Sequence, residues 1–162
     1  MIYDNINGLK VCNEAFVRFE EKESKRPISV FIFTSRKIEC LIQIKEYKKA
    51  EFEIAKALKL IPEGTINWLN TNEKYMRMCI HNNDYQKAFN IFTEIANNYG
   101  FQPAYKKTIE TWSVYEAYLN FFIENGRITL KENGNTTVKK FRINRFLNEV
   151  PIFSKDKRGY NI

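Results

Sequence analysis

A five-residue pattern that occurs twice, 38 residues apart, constrains the fold of this chain more than any other feature. Its first copy is Glu46–Ala50 (EYKKA) and its second copy is Asp84–Ala88 (DYQKA). Each copy begins an amphipathic run of about 15 residues, and another run with helical periodicity precedes it. Because a helical hairpin cannot bury both of its faces alone, the duplication predicts that one hairpin stacks on the next.

The spacing inside the pattern has a packing reason. Ala50 lies three residues after Tyr47, and a small residue at a helix crossing lets two backbones approach closely. Ile54, four residues further on, can fill the space toward the next helix. The second copy repeats this spacing with Tyr85, Ala88 and Phe92. We therefore expect close helix–helix contacts at both alanines.

Hydrophobic periodicity predicts seven helices along the chain. They span residues 5–23, 28–45, 46–61, 65–81, 85–98, 103–124 and 137–148. The segment 28–34 is also rich in the β-branched and aromatic residues of strands, but its helical periodicity continues and no partner strand is evident nearby. Residues 128–130 and 136–138 flank an Asn-Gly pair and predict a small β-hairpin. The expected fold is all-α, with six or seven antiparallel helices.

The second helix of each predicted hairpin resembles that of a tetratricopeptide repeat. In the first hairpin the residues that match the spacing of that family are Tyr47, Ala50, Ile54, Ala57, Leu58 and Pro62. In the second hairpin the matching residues are Tyr85, Ala88 and Phe92. The resemblance covers about residues 30–124 and implies a short right-handed solenoid that binds peptides or partner proteins on its concave surface. Since the matched residues are packing residues, the resemblance assigns no contact to a ligand.

The chain departs from the tetratricopeptide pattern at several positions. Ile95 stands where a small residue is usual, Gly100 stands where proline is usual, and the period is 38 residues instead of 34. The first helices carry other residues at the family's Trp, Leu and Gly positions: Thr34, Lys37 and Ile38 in one, and Asn72, Tyr75 and Met76 in the other. A third copy fails after residue 126. The alternative is a generic helical bundle with two similar hairpins.

Positive charge is concentrated at the C-terminal end. The whole chain carries a net charge of +7, but residues 1–126 contain 17 basic and 16 acidic residues, whereas residues 127–162 contain 9 basic and 3 acidic residues. Two clusters account for most of this excess: Lys139, Lys140, Arg142 and Arg145, which would form a stripe on the predicted helix 137–148, and Lys155, Lys157 and Arg158. Such clusters can neutralise phosphates, so nucleic-acid association is the alternative function. The other interpretation is that the clusters are a solvated surface with no binding role.

Three aromatic residues lie off the main apolar stripes of their helices. They are Trp68, Tyr75 and Tyr99. Packing against a neighbouring hairpin is one interpretation. If the side chains are exposed in a groove, they are candidates for partner contact, because aromatic residues commonly carry interface energy.

The sequence contains no constellation typical of an enzyme. Cys12, Cys40 and Cys79 are widely separated and suit reduced, buried thiols, while His81 is the only histidine. Since Cys79 and His81 are two residues apart on a helix, they point in different directions and cannot share a metal ion. We expect no catalytic residue, no metal and no cofactor.

The expected organisation is a helical-repeat array over residues 1–126, followed by a basic segment over 127–162 with a short helix and an extended tail. The chain shows no signal peptide and no apolar run of membrane-spanning length, which predicts a cytoplasmic protein without a membrane partner. Because the last residues do not resemble a capping helix, we expect either a segment of a longer protein or self-association through an uncapped end.

Overall fold

The computed structural model describes residues 2–21, 27–100, 102–134 and 136–142. These residues form seven helices and one two-stranded hairpin, which confirms the all-α prediction at the level of fold class. The chain divides into two compact units, Met1–Asn82 and Asn83–Ile162.

The first unit contains four helices: α1 (Ile2–Glu21), α2 (Pro27–Gln43), α3 (Tyr47–Leu60) and α4 (Ile66–His81). Helix α2 packs against both α1 and α3, and α4 packs against α3 and also contacts α2. All four predicted helices of this part of the chain are confirmed, including the helical interpretation of residues 28–34.

Short turns with specific backbone conformations connect α2 to α3 and α3 to α4. Between α2 and α3, Lys45 adopts a left-handed conformation with φ of 63°, and the Glu46 N–H donates to the Leu41 carbonyl at 2.9 Å. Helix α4 begins after Thr65, whose hydroxyl donates to the Pro62 carbonyl at 2.8 Å and accepts from a backbone N–H in the first turn of α4 at 3.3 Å. This side-chain cap satisfies a helix N–H that would otherwise lack a partner.

The repeated alanine of the first hairpin occupies the position that its spacing predicts. Ala50 and Ile54 are completely buried, and Ala57 is nearly so. These residues lie on α3, which packs against both α2 and α4. The pattern in α3 is therefore a packing pattern, as the sequence indicated.

We predict that Ala50→Leu lowers the free energy of unfolding by roughly 1–3 kcal/mol, because a larger side chain at a filled helix crossing forces the backbones apart. Ala55→Leu is the matched control, since Ala55 is exposed on the same helix and leucine has good helix propensity. Urea denaturation followed by circular dichroism measures both variants. Equal stability of the two variants would contradict the close packing at Ala50.

The second unit contains three helices and the hairpin: α5 (Tyr85–Tyr99), α6 (Pro103–Glu110), α7 (Ser113–Glu124), β1 (Leu130–Glu132) and β2 (Thr136–Val138). A hairpin forms in the predicted region and its second strand is as predicted, but the first strand is Leu130–Glu132 instead of residues 128–130, with Leu130 opposite Val138 in an antiparallel pair. Glu132 pairs with Thr136, so residues 133–135 connect the strands, and Asn133 and Gly134 both have the positive φ that suits Asn and Gly in tight turns.

The predicted helix 103–124 is wrong in one respect, because the structure breaks it into α6 and α7 at residues 111–112. The Thr111 hydroxyl donates to the Thr108 carbonyl at 2.6 Å, and the Trp112 N–H donates to the Ile109 carbonyl at 3.0 Å. The break places the buried Trp112 edge-on to Phe92, with ring centroids 5.7 Å apart. This tertiary contact explains why the helix turns without glycine or proline.

The predicted helix 137–148 is also wrong over its described part. Residues 136–138 form β2, and residues 139–142 are not helical; residues 143–148 lie outside the described residues. Phe141 is held in a non-helical position by Asn120 of α7, which donates to its carbonyl at 2.6 Å and accepts from its N–H at 2.5 Å. The buried Phe141 ring packs against Phe89 and Phe92 of α5.

Candidate functional site

A cleft of about 410 Å³ opens in the first unit between α1 and α3, with α2 at its base. Helix α1 contributes Leu9 and the exposed Asn13 to one wall. Helix α2 contributes the buried Leu41 and the half-buried Lys37. The volume lies within the range of about 300–1,000 Å³ that is usual for ligand pockets.

The opposite wall of the cleft belongs to α3 and carries an exposed aromatic ring. Phe52 lines the cleft and is 67% exposed, although most residues of its size and polarity are buried. The buried stripe of α3 faces its neighbouring helices, so Phe52 lies off the surface that holds the unit together. Its removal should therefore change stability little.

An ion pair lies in the cleft between α2 and α3. The Lys37 Nζ is 2.8 Å from the Glu53 Oε1, and both side chains are largely shielded from water. The same Nζ also lies 5.5 Å from the centre of the Phe16 ring. Because these contacts compensate the charges of Lys37 and Glu53, the pair contributes no net charge to the cleft.

Two lysines in the first turn of α3 complete the lining. Lys48 and Lys49 are exposed, and Lys49 forms an exposed i,i+3 ion pair of 3.3 Å with Glu46. The first turn of α3 contains no acidic residue. Since the positive end of the helix dipole lies there, lysines at this position disfavour the helix by about 0.3–1 kcal/mol each. For Lys49, the ion pair with Glu46 offsets part of this cost.

The three aromatic candidates predicted from the sequence are half-buried and lie outside the lining of this cleft. On α4, the Tyr75 hydroxyl donates to the Glu51 carboxylate of α3 at 2.8 Å, and Trp68 lies two turns earlier on the same helix. Tyr99 belongs to the second unit and packs edge-on against Tyr105, with centroids 5.9 Å apart. Their role in partner contact stays a prediction.

The sequence interpretation missed the cleft residues Leu9, Leu41, Lys48, Lys49 and Phe52. One signal was present: Phe52 is a large aromatic residue off the buried stripe of its helix, with Lys48 and Lys49 one turn before it. Nothing in the local pattern shows that Leu9, some 40 residues earlier, faces the same space. That proximity depends on how α1 and α3 pack on α2.

The basic candidates of the C-terminal segment are only partly within the described residues. Lys139, Lys140 and Arg142 are exposed just after β2 and do not lie on a helix, so the predicted helical stripe is wrong for these three. The other four candidates, Arg145, Lys155, Lys157 and Arg158, lie outside the described residues.

The second unit also exposes an apolar stripe on α7. Val114, Tyr118 and Phe121 are exposed and follow a spacing of four and three residues, which places them on one helix face. Beside this stripe, Phe122 lies edge-on to the Tyr118 ring at 4.8 Å, and the Arg127 guanidinium is 5.7 Å from the centre of the Phe122 ring.

The thiols and the histidine of the described residues show no arrangement typical of a reactive site. Burial raises the pKa of both the Cys12 and the Cys40 thiol, and the nearby Cys40 raises the pKa of Cys12 further. A nucleophilic cysteine requires the opposite shift. Cys79 is buried and His81 is the exposed last residue of α4. Within the described ranges, no group of three His, Cys, Asp or Glu residues is arranged to hold a metal ion.

Among the helices that the structure describes, none combines the length and the apolar character needed to cross a membrane. Comparisons of the chain with protein-family models, with curated proteins and with solved structures give no match.

Proposed function

We propose that this chain is a non-catalytic scaffold that binds a protein or peptide partner, and that the cleft between α1 and α3 is its binding site. The observation that carries the proposal is Phe52, a large aromatic side chain left exposed at the wall of a 410 Å³ cleft. Aromatic residues are common anchors of protein interfaces, and the cleft places Phe52 beside both apolar and charged side chains.

A helical-repeat arrangement of the tetratricopeptide type, which we propose for this chain, would serve the same function. The stacking of α2, α3 and α4, with α3 touching both of its neighbours, is what duplicated hairpins of this kind require. The buried Ala50 and Ile54 serve this stacking, and the exposed residues of the same helix are left for recognition. We propose the solenoid and its binding role together, with the partner in the cleft.

The proposal predicts that Phe52→Ser weakens partner binding at least about thirtyfold, because loss of an aromatic anchor costs roughly 2 kcal/mol or more. The partner is a peptide selected on the intact chain from a randomised display library, and calorimetric titration measures its affinity. Folding should change by less than about 0.5 kcal/mol, because Phe52 is mostly exposed.

The matched control is Leu60→Ser. Leu60 is 73% exposed on the same helix and does not line the cleft, so its removal should leave the affinity unchanged. If Phe52→Ser and Leu60→Ser weakened binding equally, or if no peptide were selected, the cleft would not be a peptide-binding site.

Nucleic-acid association through the second unit is the alternative function, and the exposure of Lys139, Lys140 and Arg142 favours it. This alternative predicts that a single-stranded oligonucleotide binds at low salt and that affinity falls steeply as salt rises, because binding releases counterions. Replacing the three residues with glutamate should abolish that binding in a filter assay. Absence of binding to the unmodified chain at low salt would exclude the alternative.

A further inference from the structure

We propose that the partner segment of the cleft carries carboxylates beside an apolar side chain, which makes it an acidic peptide with one hydrophobic anchor. This inference rests on the proposed peptide-binding function and specifies the chemistry of the partner. It combines the two kinds of surface that line the cleft, which are apolar at Leu9, Leu41 and Phe52 and basic at Lys48 and Lys49.

The charge of the lining residues indicates the sign of the partner's charge. Lys37 and Glu53 compensate each other in their 2.8 Å ion pair, which leaves the charges of Lys48 and Lys49. Glu46 contacts Lys49 across a solvent-exposed gap of 3.3 Å. Such an exposed pair is weak, so a carboxylate of the partner can replace Glu46 without a large cost.

The positions of Lys48 and Lys49 favour binding of a carboxylate more than they favour the stability of α3. On α3, Lys48 and Lys49 lie four and three residues before Phe52, so they share its face of the helix. They also occupy the helix end where positive charge is unfavourable. A carboxylate that meets both lysines while an adjacent apolar side chain meets Phe52 would relieve that repulsion.

The apolar part of the cleft sets the size of the anchor. Leu41 is buried at its base, and the volume of about 410 Å³ accommodates one or two large side chains but no folded domain. A basic segment such as residues 127–162, which contain 9 basic and 3 acidic residues, is a poor occupant of a cleft that is lined by Lys48 and Lys49.

The test is the display selection repeated with two matched charge variants. On the unmodified chain, we expect selected peptides to be enriched in Asp or Glu next to Leu, Ile or Phe. On Lys48→Glu/Lys49→Glu, the enrichment should shift toward Lys or Arg, and an acidic peptide from the first selection should bind about tenfold more weakly. The variant should lose less than about 1 kcal/mol of stability, because glutamates suit the first turn of a helix but the carboxylate at position 49 would repel Glu46.

The control variant is Lys107→Glu combined with Lys10→Glu. It changes the net charge by the same amount at exposed positions outside the cleft lining, so it should keep the preference for acidic peptides. If both double variants changed the preference equally, the attraction would be a general effect of net charge and the inference would fail.

Two further outcomes separate the inference from the function on which it rests. Peptides that require Phe52 but are neutral or basic would overturn the acidic partner and leave the peptide-binding function intact. Failure to select any peptide that depends on Phe52 would overturn both. A dT20 oligonucleotide can be tested as a competitor of the acidic peptide. If dT20 displaced the peptide from the unmodified chain and from Phe52→Ser equally well, the lysines would attract any polyanion, and the inference would be overturned.

Discussion

Replacing Phe92 with alanine should lower the free energy of unfolding by about 4 kcal/mol, within the range of roughly 3–5 kcal/mol that buried aromatic residues show. Phe92 is completely buried on α5, where its ring packs edge-on against Trp112 at 5.7 Å and against Phe141 at 5.3 Å. Alanine would remove both ring contacts and leave a cavity that the surrounding helices cannot fill. Guanidinium denaturation followed by circular dichroism measures the loss.

Phe121→Ala is the control for this substitution, since Phe121 is the same residue type but is exposed on α7. We expect a loss below about 1 kcal/mol, because only part of its area is removed from water. Similar losses for the two variants would contradict the assignment of Phe92 to the core of the second unit.

Replacing Asn120 with leucine should lower the free energy of unfolding by about 3 kcal/mol. The Asn120 side chain is buried and forms two hydrogen bonds with the backbone of Phe141, at 2.6 Å and 2.5 Å. Leucine has a similar size but cannot form them, so the N–H and the carbonyl of Phe141 would each stay buried without a partner, at about 1–3 kcal/mol per group. Amide hydrogen exchange should accelerate at Phe141.

Gln86→Leu is a close structural control for Asn120→Leu. The Gln86 amide forms the same two-bond arrangement with the backbone of Lys131, at 2.8 Å and 2.7 Å, but at an exposed position on α5. Water can replace both of its bonds, so we expect a loss of about 1 kcal/mol or less. A loss from Gln86→Leu as large as that from Asn120→Leu would show that burial does not determine the energy of these pairs.

The helices of the first unit could be predicted from the sequence because their signals are local. The apolar stripes have a helical period, and polar or proline-containing turns separate them at residues such as Asn82 and Pro62. The Asn-Gly pair at 133–134 likewise indicates a turn through its backbone preference, but it does not specify where the first strand begins.

The errors arose where a distant residue decides the local structure. Val138 and Phe141 have a helical spacing, but Val138 pairs with Leu130 and the Phe141 backbone is bound by Asn120. The break before α7 has no glycine or proline and follows from the burial of Trp112. The cleft was missed for the same reason, since its walls come from helices that are separated along the chain.

The most direct test of the proposed binding site is a nuclear magnetic resonance titration of the ¹⁵N-labelled 19.3 kDa chain with a peptide obtained from the display selection. We expect saturable shifts of the backbone amides around Leu9, Leu41 and Phe52, with the largest changes in the first turns of α3. Shifts confined to the second unit, or no saturable shift in α1, α2 and α3, would contradict a peptide-binding cleft in the first unit.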